Sequence, residues 1–125
     1  MNKWELEFWE SESGNCPVKD FLNELKLKDS LSHERVLEKI KRFTTWRITD
    51  LCKSGHLEKI KSENLYEFKV SVSGIEFRFL GRLSNTSLDS GELIILCTAH
   101  AIKKKTNKLK NKDIKIAADR LNSKK

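Results

Sequence analysis

The stretch LYEFKVSVSGIEFRFLGRL, Leu65 to Leu83, decides the fold. It divides at Ser73-Gly74 into two alternating runs. In the first, Tyr66, Phe68, Val70 and Val72 share one side and Glu67, Lys69 and Ser71 the other. In the second, Ile75, Phe77, Phe79 and Gly81 oppose Glu76, Arg78, Leu80 and Arg82. Side chains of a strand alternate between faces, so each run has one apolar and one mostly polar side. A two-residue loop containing Gly is a common hairpin connection, and here it predicts the pairs Val72/Ile75, Val70/Phe77 and Phe68/Phe79. The apolar faces then coincide, which supports the register. The same register sets Lys69 opposite Arg78. Like charges so placed destabilise a sheet. The pair therefore reads either as a seat for an anion or as two long side chains splayed into water, where the repulsion is small.

Before the hairpin, Trp4 to Trp9 alternates as a first strand, with Trp4 in the core. A loop holding Gly14 follows. Pro17 suits the first turn of a helix, and Val18, Phe21, Leu22 and Leu25 continue it at helical spacing to about Lys28. Asp29 or Ser30 would cap a second helix. Val36, Leu37, Ile40, Phe43, Thr44, Ile48 and Leu51 carry it to about Ser54, and Gly55 stops it. The two form a helical hairpin. His56 to Ile60 is a weak strand or an extended link.

After the hairpin, Ser84 to Gly91 is a polar loop. Leu93 to Ala99 is a continuous apolar run of strand length, central in the sheet or covered on both faces. His100 to Asn111 is a basic connector, and Asp113 to Leu121 is a last helix with Ile114, Ala117, Ala118 and Leu121 on one side. The expected fold is α+β, with a small, mostly antiparallel sheet of four to five strands, an N-terminal helical hairpin and a C-terminal helix. Residues 1–125 form one domain, with 122–125 a flexible tail.

The net charge is +7, unevenly placed. From Met1 to Glu34 eight acids stand against four lysines, whereas from Lys103 onward lysines dominate and the only acids are Asp113 and Asp119. A basic end points to a polyanion partner or to a solvated tail. Cys16, Cys52 and Cys97 are odd in number and widely spaced, and His33, His56 and His100 lack ligand spacing. Neither a disulfide framework nor a metal is expected, and Cys52 and Cys97 lie in apolar stretches that suggest burial. The first residues lack a signal-peptide pattern and no apolar run has membrane-span length, so a cytoplasmic protein without a membrane partner is the default.

These pieces in this order resemble the RelE/HigB superfamily of toxin–antitoxin toxins, closest to its HigB-like, phage-associated branch. Gly14-Asn15-Cys16-Pro17-Val18-Lys19-Asp20-Phe21-Leu22 is similar to that branch's G-x-x-P-V-x-x-F-L opening. Leu65-Tyr66-Glu67-Phe68-Lys69 resembles its L-Y-E-L-R, Phe77-Arg78-Phe79 its Y-R-I, and Lys104-Lys105-Thr106 its K-K-T after a strand such as Leu93 to Leu96. The resemblance implies a RelE-like fold and a ribosome-associated mRNA endonuclease. It also implies inhibition by a small helix-turn-helix antitoxin, with a complex on operator DNA. Lys69 stands where the family has Arg, Ile102 where it has an aromatic residue, and the Pro expected near Leu109-Lys110 is missing.

Cleavage by an internal 2′-hydroxyl needs a group to take its proton, charge to neutralise the phosphate, and an acid for the leaving 5′-oxygen. It needs neither cofactor nor metal. Arg78 is the candidate phosphate clamp, since a guanidinium binds two oxygens at once. Lys69 adds charge, or acts as a base if crowded by cations. Lys104 could reach the same phosphate. His100 is an acid or base, or a strand-end residue bonded locally. Glu67 pairs with Lys69 or acts as a base. Arg82, Lys103, Lys105 and Lys108 are the expected RNA-backbone contacts. Two other readings stand beside the nuclease. One is a catalytically weakened RNA- or antitoxin-binding module of the same fold, suggested by Lys69 and Ile102. The other is a structural protein, which leaves the opposed cations unexplained.

Overall fold

A computed structural model describes residues 2–61, 63–84, 93–104 and 109–123. In chain order its elements are β1 (Trp4–Phe8), α1 (Pro17–Lys28), α2 (Ser30–Phe43), α3 (Ile48–Lys53), β2 (Leu57–Ile60), β3 (Leu65–Val72), β4 (Ile75–Leu83), β5 (Ile94–Lys104) and α4 (Asn111–Asn122). The fold is α+β. One five-stranded sheet has the order β1-β5-β4-β3-β2. It is mixed: β1 runs parallel to β5, and the other neighbours are antiparallel.

The central hairpin has the expected register, with Val72 opposite Ile75, Phe68 opposite Phe79 and Lys69 opposite Arg78. Its turn holds Ser73 at φ 52° and Gly74 at φ 82°. Two left-handed residues in sequence match the twist of the strands they join. The apolar sides of β3 and β4 meet α1, α2 and α3 in one core around Trp4, Phe43, Phe68 and Phe79. Trp4 is 0% exposed. Its ring meets Phe68 edge-on at 5.2 Å between centroids, and its indole N–H donates to the Phe43 carbonyl at 2.9 Å.

That last bond bears on a difference from expectation. The second helix does not run to Ser54; it ends at Phe43 and resumes as α3. Several helix carbonyls are taken by other donors: Phe43 C=O by Trp4, Lys41 C=O by the Thr44 hydroxyl at 2.7 Å, and Arg42 C=O by the Thr45 hydroxyl at 2.6 Å. Threonines that bond back to the preceding turn compete with helix continuation, and Arg47 is extended, at φ −70° and ψ 148°. The Asp29 cap forms as expected, its carboxylate accepting from the Ser32 N–H at 3.1 Å. Gly55, at φ 84°, follows α3.

β5 is longer than the apolar run predicts. Residues 100–104 continue the strand because β4 offers partners as far as Glu76, opposite Lys104. The ladder slips once, between Leu80/His100 and Gly81/Thr98, leaving Ala99 as the extra residue of a bulge. There the backbones crowd. A Cβ on Gly81 would lie 2.3 Å from the Cys97 carbonyl oxygen, so only Gly fits. The bulged Ala99 carbonyl is taken from outside the sheet by Arg120 of α4, at 2.7 Å. Burial lowers the Arg120 pKa from its ordinary value.

α4 packs on the second face of the sheet. Ala117 and Ala118 meet Leu65 and Leu80 there, with Ile60, Ile114 and Leu121 around them. Cys97 is half-buried, but Cys52 is exposed rather than buried. It sits on the outer side of α3, away from Ile48 and Leu51, which face the core. The expected tail begins inside α4 at Asn122; 124–125 lie outside the described residues, as does the loop 85–92. Among the described residues no helix is long and apolar enough to cross a membrane.

Candidate functional site

The polar side of the hairpin lies on the face that α4 covers in part. Arg78 on β4 has Lys69 of β3 on one side and Ile102 of β5 on the other. Alternation along β5 puts His100 and Lys104 on the same face, flanking Ile102. Three adjacent strands therefore bring together Lys69, Arg78, His100 and Lys104.

Each of these groups has a carboxylate partner. Lys69 pairs with Glu58 of β2. Arg78 donates from Nη1 to Glu67 at 2.9 Å, and from Nε and Nη2 to one oxygen of Glu76 at 3.0 and 2.6 Å. His100 Nε2 lies 2.9 Å from Asp113 Oδ1 in the first turn of α4, and the other Asp113 oxygen is 3.9 Å from Lys104 Nζ. The opposed cations of the register are thus spaced by acids, and the like-charge strain expected across the hairpin is neutralised in place.

This alters four readings. Arg78 is not an open phosphate clamp: it is 1% exposed, with its guanidinium held by Glu67 and Glu76. Glu67 pairs with Arg78 rather than with Lys69. Lys69 has the carboxylate of Glu58 beside it, so it is not surrounded by cations alone. His100 is bonded, but to Asp113 of α4 rather than locally, and that contact fixes the orientation of its ring.

The expected backbone contacts divide. Arg82 shares the α4 face; its Nη2 donates to Asn122 at 3.1 Å and its Nε is buried without a hydrogen-bond partner. Among the described residues it has no carboxylate partner. Lys103 does not join the group. It stands opposite Phe77 in the ladder, on the other side of β5, and lines a cavity of about 490 Å³ with Phe21, Glu24, Lys28 and Asp29. Lys105 and Lys108 lie outside the described residues.

Sequence reasoning missed Glu58, Glu76 and Asp113. Glu76 carried a signal, because it is two residues from Arg78 and on the same side of one strand. Asp113 carried none, since only packing of α4 brings it to His100. Among the described residues no group of three or more His, Cys, Asp or Glu side chains is placed to hold a metal ion.

Comparison with protein-family models, curated proteins and solved structures finds no match to this chain.

Proposed function

We propose that this chain is the toxin of a toxin–antitoxin pair, a metal-independent endoribonuclease that cuts mRNA through its own 2′-hydroxyl. One observation carries the reading: Lys69, Arg78, His100 and Lys104 share a single face on three neighbouring strands. In the proposed reaction the 2′-oxygen bonds to phosphorus, the bond to the 5′-oxygen breaks, and a 2′,3′-cyclic phosphate remains. Lys69 and Lys104, at the rim of the face, meet the phosphate charge. His100, oriented by Asp113, carries the proton. Arg78 acts from below as a positioning residue that holds Glu67 and Glu76. Arg82, with no carboxylate partner among the described residues, extends the contact along the RNA backbone.

The ordered motifs support a RelE-like assignment, with the ribosome as the place of cleavage, the cytoplasm as the location and a helix-turn-helix antitoxin as the inhibitor. Expression from a tightly controlled promoter should arrest growth and create new mRNA 5′ ends. The variants Lys69→Ala, His100→Gln and Lys104→Ala should each lower cleavage about 10²-fold while keeping the fold. Absence of arrest and of new ends would reject the nuclease; full activity of all three variants would reject this site.

The burial of Arg78 between two carboxylates favours a second reading, in which the same fold binds RNA or an antitoxin-like partner without cleaving. Saturable, salt-sensitive RNA binding with intact RNA on translating ribosomes would select it.

A further inference from the structure

β1 is an outer strand of the sheet and, among the described residues, pairs with β5 alone. A strand in that position turns alternate N–H and C=O groups outward, and these recruit another strand unless something blocks the edge. Among the described residues the one backbone bond near its outer side is at the start, where the Lys3 N–H donates to Thr44. Alongside runs an open groove of about 420 Å³, lined by Glu5, Leu6 and Phe8 of β1 and by Leu37, Ile40 and Lys41 of α2. Phe8 is 38% and Leu37 42% exposed.

Alternation turns Glu5 and Glu7 to the other side of the strand, with Glu5 also bordering the groove, so the edge as a whole is acidic. Glu5 and Glu7 are exposed, as are Glu10 and Glu12 just beyond, and among the described residues no cation pairs with any of them. In a chain of net charge +7 this is a local concentration of unneutralised negative charge.

The two sides together specify what fits. An added strand continues the pleat, so alternate residues fall beside Leu6 and Phe8 and the residues between them fall beside Glu5 and Glu7. The matching chemistry is an extended segment in which apolar residues alternate with Lys or Arg. A second copy's β1 does not match, because glutamates would meet glutamates across the new ladder. A helix does not match either, because it leaves the edge N–H and C=O groups without partners.

We propose that the free edge of β1 is a docking site for an extended basic segment of a partner protein, which adds to the sheet as an outer strand. The site uses none of the residues assigned to RNA, so its failure and that of the nuclease reading are separately visible.

The test measures binding of labelled peptides to the full chain by fluorescence anisotropy at low salt. One peptide of about eight residues alternates Lys with Val. A second replaces Lys with Glu, a third is the Lys peptide N-methylated at alternate amides, and a fourth is a helical peptide of the same charge. The Lys–Val peptide should bind about tenfold or more tighter than the Glu peptide. N-methylation should abolish that binding, E5K/E7K should invert the charge preference, and Leu37→Lys should weaken binding from the α2 side. Equal binding of the two charged peptides, undiminished binding after N-methylation, a preference that survives E5K/E7K, or tighter binding of the helical peptide would each overturn the proposal.

Discussion

At the scale of single residues, Arg78 combines two facts that pull apart. It is among the most buried side chains, and it carries a permanent charge. Such a group is tolerated only because Glu67 and Glu76 satisfy the guanidinium from two directions. Removing one partner of a buried ion pair leaves the other charge stranded, which costs more than the pair contributed. Arg78→Ala should therefore destabilise the fold by about 3–5 kcal/mol in urea unfolding, mostly through Glu67. Adding Glu67→Gln should return part of that loss. Loss of RNA cleavage in Arg78→Ala alone is thus a poor test of contact with substrate, and the rim residues Lys69 and Lys104 are the better probes. A second residue-scale expectation concerns Arg120, which satisfies the carbonyl exposed by the bulge at Ala99. Arg120→Met should cost about 1–3 kcal/mol, the penalty of leaving that oxygen unpaired, and should speed amide exchange along β5 near the bulge.

At the scale of elements, the N-terminus of α2 depends on one carboxylate. The Ser32 hydroxyl and then the Ser32 N–H hold the Asp29 pKa below its ordinary value. A lowered folded pKa means the charged form is favoured by folding. The stabilisation is then complete above the ordinary aspartate range near about 3.9 and fades as pH falls through the folded value. Asp29→Ala should lower Tm at neutral pH, and the gap from the parent chain should close in acid. This cap was legible in the sequence, as were Pro17 at the first turn of α1 and the hairpin register, because each rests on neighbours within a few residues. The break after Phe43 was not legible. Thr44 and Thr45 take part in it locally, but the Phe43 carbonyl is also taken by an indole supplied from β1, 39 positions away. The site divides in the same way. Alternation placed Lys69, Arg78 and Glu76 on one face, but the cover by α4, and with it the Asp113–His100 pair, arises only when the last helix folds back over the sheet.

At the scale of the whole molecule, charge is separated across the sheet. The outer strand β1 is acidic, the middle of the α4 face alternates cations with carboxylates, and the lysine-rich stretch follows β5. RNA held on the α4 face would meet few uncompensated charges there, so its affinity should fall only moderately with salt. Lys69→Gln and Lys104→Gln should each reduce the slope of log affinity against log salt by about 0.7, the single-strand value per neutralised phosphate. A filter-binding titration across ionic strengths would measure it, and unchanged slopes would place the RNA elsewhere.

The parallel pairing of β1 with β5 has a kinetic consequence. Trp4, buried in the main core, lies on a strand whose partner among the described residues begins at Ile94. Contacts so distant along the chain form late, because a long loop must close before any of them is rewarded. Before Ile94 is reached β1 lacks the strand it pairs with, although Phe43 and Phe68, which receive the Trp4 ring, are already in the chain. Docking of β1 should therefore be a late folding event, visible in pulsed hydrogen exchange as amides of β1 and β5 that gain protection after those of the β3–β4 hairpin.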